Sequence, residues 1–175
     1  MCGVSLGYTA VWFVRWNFMC WLVLFIIVIV DQLCKIYARC SIKGTYGFEF
    51  LNGLVKFVYL ENRGAAFGIL KDSRYIFIAS TLIIITGLFY VILYKKINDK
   101  LFKIGATFIA SGGFSNLIDR LFLGYVIDYI KLSFFSPVCN LADYFITVGT
   151  IILIIYILKH DNKSNNIENI SRGKS

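Results

Sequence analysis

The sequence predicts an α-helical integral membrane protein: four transmembrane helices with a small extracytoplasmic β segment. Three observations carry this. Of 175 residues, 58% are hydrophobic, 16% are charged and one is proline, with a mean hydropathy of +0.72; soluble domains sit nearer half apolar and a quarter charged. Four long stretches are almost free of charge. The carboxylates that do interrupt or border them, Asp31, Asp119, Asp128 and Asp143, stand among apolar neighbours. The length allows one compact bundle and no second globular domain.

The first span is expected over 16–37. Residues 16–30 carry no charge, and the run continues across Asp31. Trp12, Trp16 and Trp21 cluster at its start, where indole rings favour the membrane–water interface. Arg15 before an apolar run looks like a signal peptide, but the run is long enough to span and no A-x-A-like site follows it. It is expected to anchor the chain.

Residues 41–70 form the β segment. Phe48 and Phe50, then Val55, Phe57 and Tyr59, fall at period two. Asn52-Gly53 between them is a hairpin signal. The second span, 75–94, is uncharged and, at about 20 residues, matches the hydrocarbon thickness of ~30 Å. The third is placed at 101–119 and ends on Asp119-Arg120; the fourth, 140–158, has Asp143 as its sole charge. Residues 159–175 are polar, lack a hydrophobic face, and read as a disordered cytoplasmic tail.

The net charge of +8 invites a nucleic-acid reading, but its distribution argues for a membrane topology instead. Lys95, Lys96, Lys100 and Lys103 crowd one short loop, and Lys159, Lys163, Arg172 and Lys174 lie in the tail. The positive-inside rule places both in the cytoplasm, with the N-terminus on the same side. Residues 38–74 and 119–140 then face outward. Five cysteines form no C-x-x-C pair and the chain has a single histidine, His160. Neither a metal site nor a disulfide framework is expected.

A carboxylate near hydrocarbon is costly unless paired, wet or protonated, so it is a functional-site candidate. Asp31 and Lys35 are spaced i,i+4 and can meet on one helix face. They either terminate the span as an ion pair or hold a ligand. Asn62-Arg-Gly64-Ala-Ala-Phe67-Gly68 combines small residues with an amide at a tight bend. It is either a turn or a grip on an extended peptide. Gly112-Gly113 permit close helix contact before Asn116, Asp119 and Arg120. Asp119 and Arg120 could simply pair with each other. Asp128 is flanked by β-branched and aromatic residues in Val126-Ile-Asp128-Tyr-Ile130. Asn140-Leu-Ala142-Asp143 reads as an N-cap with an acid in the first turn.

A single acid at a helix start is unremarkable. Two carboxylates in one confined site hold a proton between them. The ionised member can then activate water while the protonated one donates to a carbonyl oxygen. Residue context alone does not choose between Asp119 and Asp128 as the partner of Asp143.

Five boxes occur in order: Asp31-x-x-x-Lys35, Asn62-Arg-Gly-Ala-Ala-Phe67, Asn116-Leu-Ile-Asp-Arg120, Val126-Ile-Asp128 and Asn140-Leu-Ala-Asp143. Together they resemble the bacterial lipoprotein signal peptidase family, signal peptidase II, over about residues 20–158. The resemblance implies a membrane aspartyl endopeptidase that cleaves prolipoproteins before a cysteine carrying diacylglyceryl. It implies Asp128 and Asp143 as the catalytic pair. Asp31, Lys35, Asn62, Gly64, Gly112, Asn116, Asp119, Arg120, Asn140 and Ala142 are implied as its substrate-binding and supporting residues. It implies no cofactor. The expected partners are diacylglyceryl-prolipoproteins and membrane lipids, with a monomer in the bacterial inner membrane and its site at the outer leaflet.

The chain departs from the family pattern at Ser111 and Ser115, where glycines are usual, and at Cys139, where an aromatic is usual. Arg63 stands where Thr is often found. These changes are expected to affect packing and substrate fit. Two rival functions are a small proton-coupled transporter and an inactive lipoprotein-binding scaffold. A transporter would spread its acids across the depth of the membrane, and the uncharged 75–94 span offers no such path.

Overall fold

The computed structural model describes residues 5–64, 73–94, 97 and 99–172. Its elements run α1 (Ser5–Ser41), β1 (Phe48–Phe50), β2 (Val55–Asn62), α2 (Arg74–Tyr94), α3 (Lys100–Phe122), β3 (Val126–Leu132), β4 (Phe135–Cys139) and α4 (Leu141–Arg172). Four stretches are long and apolar enough to cross a membrane: Phe18–Ser41, Arg74–Ile92, Lys100–Phe122 and Leu141–Asp161. They lie within a few residues of the four predicted spans, except that the first runs on through Ser41.

α3 is the axis of the bundle. In its most apolar stretch 61% of residues are buried, against 0% in α2, which rests on α3 at the periphery. The α3–α4 contact is the tightest, and glycine makes it so. A Cβ on Gly105 would lie 2.9 Å from the Gly149 carbonyl oxygen, and one on Gly112 would strike the carbonyl oxygen of Ala142. Small residues let helix backbones approach where side chains would hold them apart. Leu24 and Val28 of α1 pack with Ala110 of α3, with Phe89 of α2 against them.

The four strands form one antiparallel sheet in the order β1-β2-β3-β4. The β1–β2 hairpin pairs Phe48 with Phe57 and Phe50 with Val55. Its connection is a four-residue loop, 51–54, in which Leu51, Asn52 and Gly53 all take positive φ. The sequence reading confines β structure to 41–70; the second half of the sheet, β3 and β4, comes from 126–139. The reason is β3's burial pattern: Val126, Ile127, Asp128 and Tyr129 are all buried, and a strand covered on both faces loses the period-two signature.

Ile127 and Tyr129 form a core cluster with Ala38 of α1 and Ile42 of the turn that follows it, locking the sheet onto the end of the first helix. A bulge in β2 then shifts the β2–β3 register: Phe57 opposes Ile130, but Leu60 opposes Asp128 and Asn62 opposes Val126. One extra residue flips every later side chain to the other face. The bulge is therefore what turns Asn62 toward the face carrying Asp128.

The part of the 159–175 tail that is described, 159–172, is helical where the sequence reading has it structureless: α4 continues through Arg172. Extending a helix from an established span needs no new nucleus, which lets it run on without an apolar face. Residues 65–68 of the Asn62–Gly68 box lie outside the described residues, as do Lys95 and Lys96 of the basic loop.

Candidate active site

α4 begins with a reciprocal cap. The Asn140 Oδ1 accepts from the Asp143 N–H at 3.0 Å, and the Asp143 Oδ2 accepts from the Asn140 N–H at 3.1 Å. This is the capping-box arrangement, built here from Asn and Asp. The first three N–H groups of a helix have no intrahelical partner. Here Leu141 donates to the Tyr129 hydroxyl at 3.3 Å, Ala142 to Asp31 Oδ1 at 3.0 Å, and Asp143 to Asn140. The start of α4 is thus pinned by β3, by α1 and by itself.

Asp128 reaches the same place from β3 and is 1% exposed. Its Oδ1 accepts from Asn140 Nδ2 and its Oδ2 from Asn62 Nδ2, both at 2.7 Å. The Asn62 Oδ1 is engaged by the Gly64 N–H at 3.0 Å, so its amide nitrogen is left facing Asp128. Burial, and then the negative charge of Asp143, push Asp128 from the ordinary carboxylate range up to about 7. An Asp holding a proton near neutral pH is a candidate general acid.

Asn116 of α3 completes the amide framework. Its Nδ2 donates to Asp143 Oδ1 at 2.8 Å, while its Oδ1 accepts from Lys35 Nζ at 2.8 Å and from Asn140 Nδ2 at 3.2 Å. Lys35, 1% exposed, lies 2.8 Å from Asp31 and 2.9 Å from Asp119. Two buried carboxylates around one buried cation need further donors. Asp31 has the Ala142 N–H and the Ser115 hydroxyl at 2.6 Å; Asp119 has the Ile127 N–H at 3.1 Å and Gln32 Nε2 at 3.0 Å.

The structure therefore separates two groups of acids that the sequence presents alike. Asp31 and Asp119 are tied to Lys35, whereas Asp128 and Asp143 share the amides of Asn140. The pairing of Asp119 with Arg120, open in the sequence, is not made: Asp119 joins Lys35. Arg120 lies with its guanidinium 4.8 Å from the centre of the Phe77 ring, and its Nη1 stands 3.5 Å from the Asn116 carbonyl oxygen. Gly112 and Ala142 are the α3–α4 backbone contact nearest the site, which brings Asn116 within reach of Asp143.

Three contributors escape the sequence reading: it does not single out Gln32 or Tyr129, and it expects Ser115 to affect only packing and substrate fit. The available signals were slight: Gln32 adjoins Asp31, and Ser115 precedes Asp119 by one helical turn. Cys139, beside Asn140, has its thiol pushed up to about 11 by burial and by the charges of Asp143 and Asp128. It stays a neutral thiol and a poor nucleophile. Among the described residues, no group of three or more His, Cys, Asp or Glu could hold a metal ion.

The chain matches the family model described as signal peptidase (SPase) II over residues 23–159. It is 38% identical over 138 residues to a lipoprotein signal peptidase of Streptococcus pneumoniae, covering 78% of this chain and 90% of that one. To the lipoprotein signal peptidase of Clostridioides difficile it is 37% identical over 146 residues, covering 82% and 97%. A bacterial membrane enzyme solved by the in meso method at 2.3 Å superposes with a TM-score of 0.78 at 29% identity, covering 83% of this chain and 90% of that one. With most of its length matched in sequence and in fold, the chain belongs to the signal peptidase II family.

Proposed function

We propose that Asp128 and Asp143 are the catalytic pair of this chain. As a member of its family the protein is a membrane peptidase that removes signal peptides from prolipoproteins. The observation that carries the assignment is Asn140, which donates its side-chain amide to Asp128 and its backbone N–H to Asp143. One residue thereby fixes both carboxylates, and neither is consumed by an ion pair with Lys35.

The mechanism follows from their environments. Asp128 carries the shared proton and gives it to the carbonyl oxygen of the scissile bond. Asp143, receiving donors from Asn116 and Asn140, remains ionised and takes a proton from a water molecule that attacks the carbonyl carbon. As the tetrahedral intermediate collapses, Asp143 gives that proton to the leaving amide nitrogen, the C–N bond breaks, and Asp128 takes a proton back from the intermediate's hydroxyl, which restores the pair. In a coupled pair the proton belongs to the dyad as a whole; burial and the charge of Asp143 favour the protonated form at Asp128. The chemistry needs no metal.

The site residues then divide by what they touch. Asn62, Asn116 and Asn140 orient the carboxylates, while Lys35, Asp31 and Asp119 hold the helices that present them. Gly64 and Arg120 line the approach of the substrate peptide. The substrate is a prolipoprotein carrying diacylglyceryl on the cysteine after the cut, its lipid remaining in the bilayer while its peptide extends past the sheet. The protein acts as a monomer with both termini in the cytoplasm and the dyad at the outer leaflet. The buried Asp31, Asp119 and Asp128 and the half-buried Asp143 gather at one end of the bundle, as a hydrolytic site requires and a proton path across the membrane does not.

The test is cleavage of a lipidated prolipoprotein by the purified protein, with Asp128→Asn and Asp143→Asn beside wild type. Wild type cuts before the lipid-bearing cysteine, and each variant loses at least about 1,000-fold in kcat while staying folded and inserted. Substantial turnover by either variant would remove that residue from the pair. A folded wild type that binds the substrate without cutting it would make the chain a lipoprotein-binding scaffold.

A further inference from the structure

Ser115 is fully buried on α3 and makes contacts that packing alone does not require. Its hydroxyl donates to Asp31 Oδ2 at 2.6 Å. Gln32 Nε2 approaches the same hydroxyl oxygen at 2.9 Å, the Ser115 carbonyl oxygen at 3.1 Å and Asp119 Oδ1 at 3.0 Å.

The donor inventory gives this cluster a direction. An amide nitrogen only donates, so Gln32 occupies an acceptor site on the Ser115 oxygen and cannot receive its proton. The hydroxyl hydrogen is left for Asp31. The chain of bonds then runs Gln32 to Ser115 to Asp31, whose other oxygen takes the Ala142 N–H. Ala142 is adjacent to Asp143, in the first turn of α4. Asp31 has two ties besides this one: Lys35, which it shares with Asp119, and the α4 backbone. Lys35 and the Ser115 hydroxyl both bind Asp31 Oδ2 while the Ala142 N–H binds Oδ1, so the short hydroxyl bond is a second anchor on the oxygen opposite Ala142.

We propose that Ser115, oriented by Gln32, is a positioning residue for the reaction: it sets the rotation of the Asp31 carboxylate and, through the Ala142 N–H, the placement of Asp143. This rests on Asp143 being one of the catalytic pair. The hydroxyl touches neither substrate nor the dyad, so its effect is transmitted through the start of α4. A small misplacement there costs rate while leaving substrate affinity intact.

The experiment is steady-state cleavage of a lipidated prolipoprotein by the full chain in detergent, comparing wild type with Ser115→Ala, Ser115→Thr and Asp143→Asn. Ser115→Ala is expected to lower kcat about tenfold, the equivalent of one charge-assisted hydrogen bond, with KM unchanged and the thermal midpoint little moved. Ser115→Thr keeps the hydroxyl and restores most of that rate. Wild-type kcat in Ser115→Ala overturns the inference, as does a loss shared equally by the Ala and Thr variants. If Ser115→Ala does not fold, Gln32→Leu decides: it frees the hydroxyl to turn away, and an unchanged kcat counts against the role. Turnover surviving in Asp143→Asn would instead remove the dyad itself, whatever Ser115 does.

Discussion

Asn140 and Asp143 cap each other at the start of α4, through hydrogen bonds of 3.0 and 3.1 Å that run in opposite directions. The same Asn140 gives its Nδ2 to Asp128 at 2.7 Å. One asparagine thus performs a structural task, terminating a helix, and a chemical one, holding two acids at a common point. Either task alone could be met by other residues. Their coincidence is what makes a helix start into a dyad.

The two tasks can be separated by Asn140→Ser. Serine is an equally good N-cap, so the cap is kept, and loss of the buried Nδ2 bonds to Asp128 and Asn116 should cost about 1–3 kcal/mol. It has no amide to offer Asp128, and kcat should fall about 100-fold, the scale seen when one preorganised donor is removed. Cleavage kinetics together with thermal unfolding in detergent would check both halves. A loss of stability with kcat unchanged would give the Asn140 side-chain amide a structural role only.

Cleavage should fall as pH rises through about 7, where Asp128 gives up its proton. Burial, chiefly, and the charge of Asp143 raise it; Asn62 opposes them by donating to the carboxylate form. Removing that donor in Asn62→Ala should raise Asp128 further and carry the alkaline limb of kcat to higher pH. A limb that stays put or moves down would place the titrating proton elsewhere. Stability carries the same sign. The folded chain keeps this proton up to about 7 and the unfolded chain only to about 4, so its contribution is complete below 4 and is lost as pH rises through 7.

Lys35→Met should be among the most destabilising single changes in the protein. It leaves Asp31 and Asp119, 0% and 2% exposed, without their cation. Breaking a buried pair from one side costs about 3–5 kcal/mol. A thermal midpoint near that of wild type would mean that Lys35 is not what holds the two carboxylates in the folded protein.

Reporter fusions test the orientation. A reporter in the tail or after Lys96 should read cytoplasmic, and one inserted at Gly53, in the hairpin loop, external. The opposite pattern would place the dyad on the inner face and remove its access to a translocated substrate.

The sequence by itself determined the membrane class and the four spans and singled out Asp31, Asp119, Asp128 and Asp143 as candidates, because each is a local property. A run of 20 apolar residues is visible without its neighbours, and so is a carboxylate that interrupts one. The β1–β2 hairpin was legible for the same reason, through its alternation and Asn52-Gly53. What the tertiary structure decided is partnership. Asp119 could have served Arg120 or Asp143 and instead joins Lys35; Ala142 meets Asp31 from 111 residues away, and Lys35 meets Asn116 across 81. β3 was hidden because burial on both faces erases its alternation, and Asn62 faces Asp128 only because a bulge shifts the register. Periodicity reports which face of an element is apolar. It carries no information on which distant element will cover that face, and in this protein that choice sorts four similar aspartates into two that hold the bundle and two proposed to carry the chemistry.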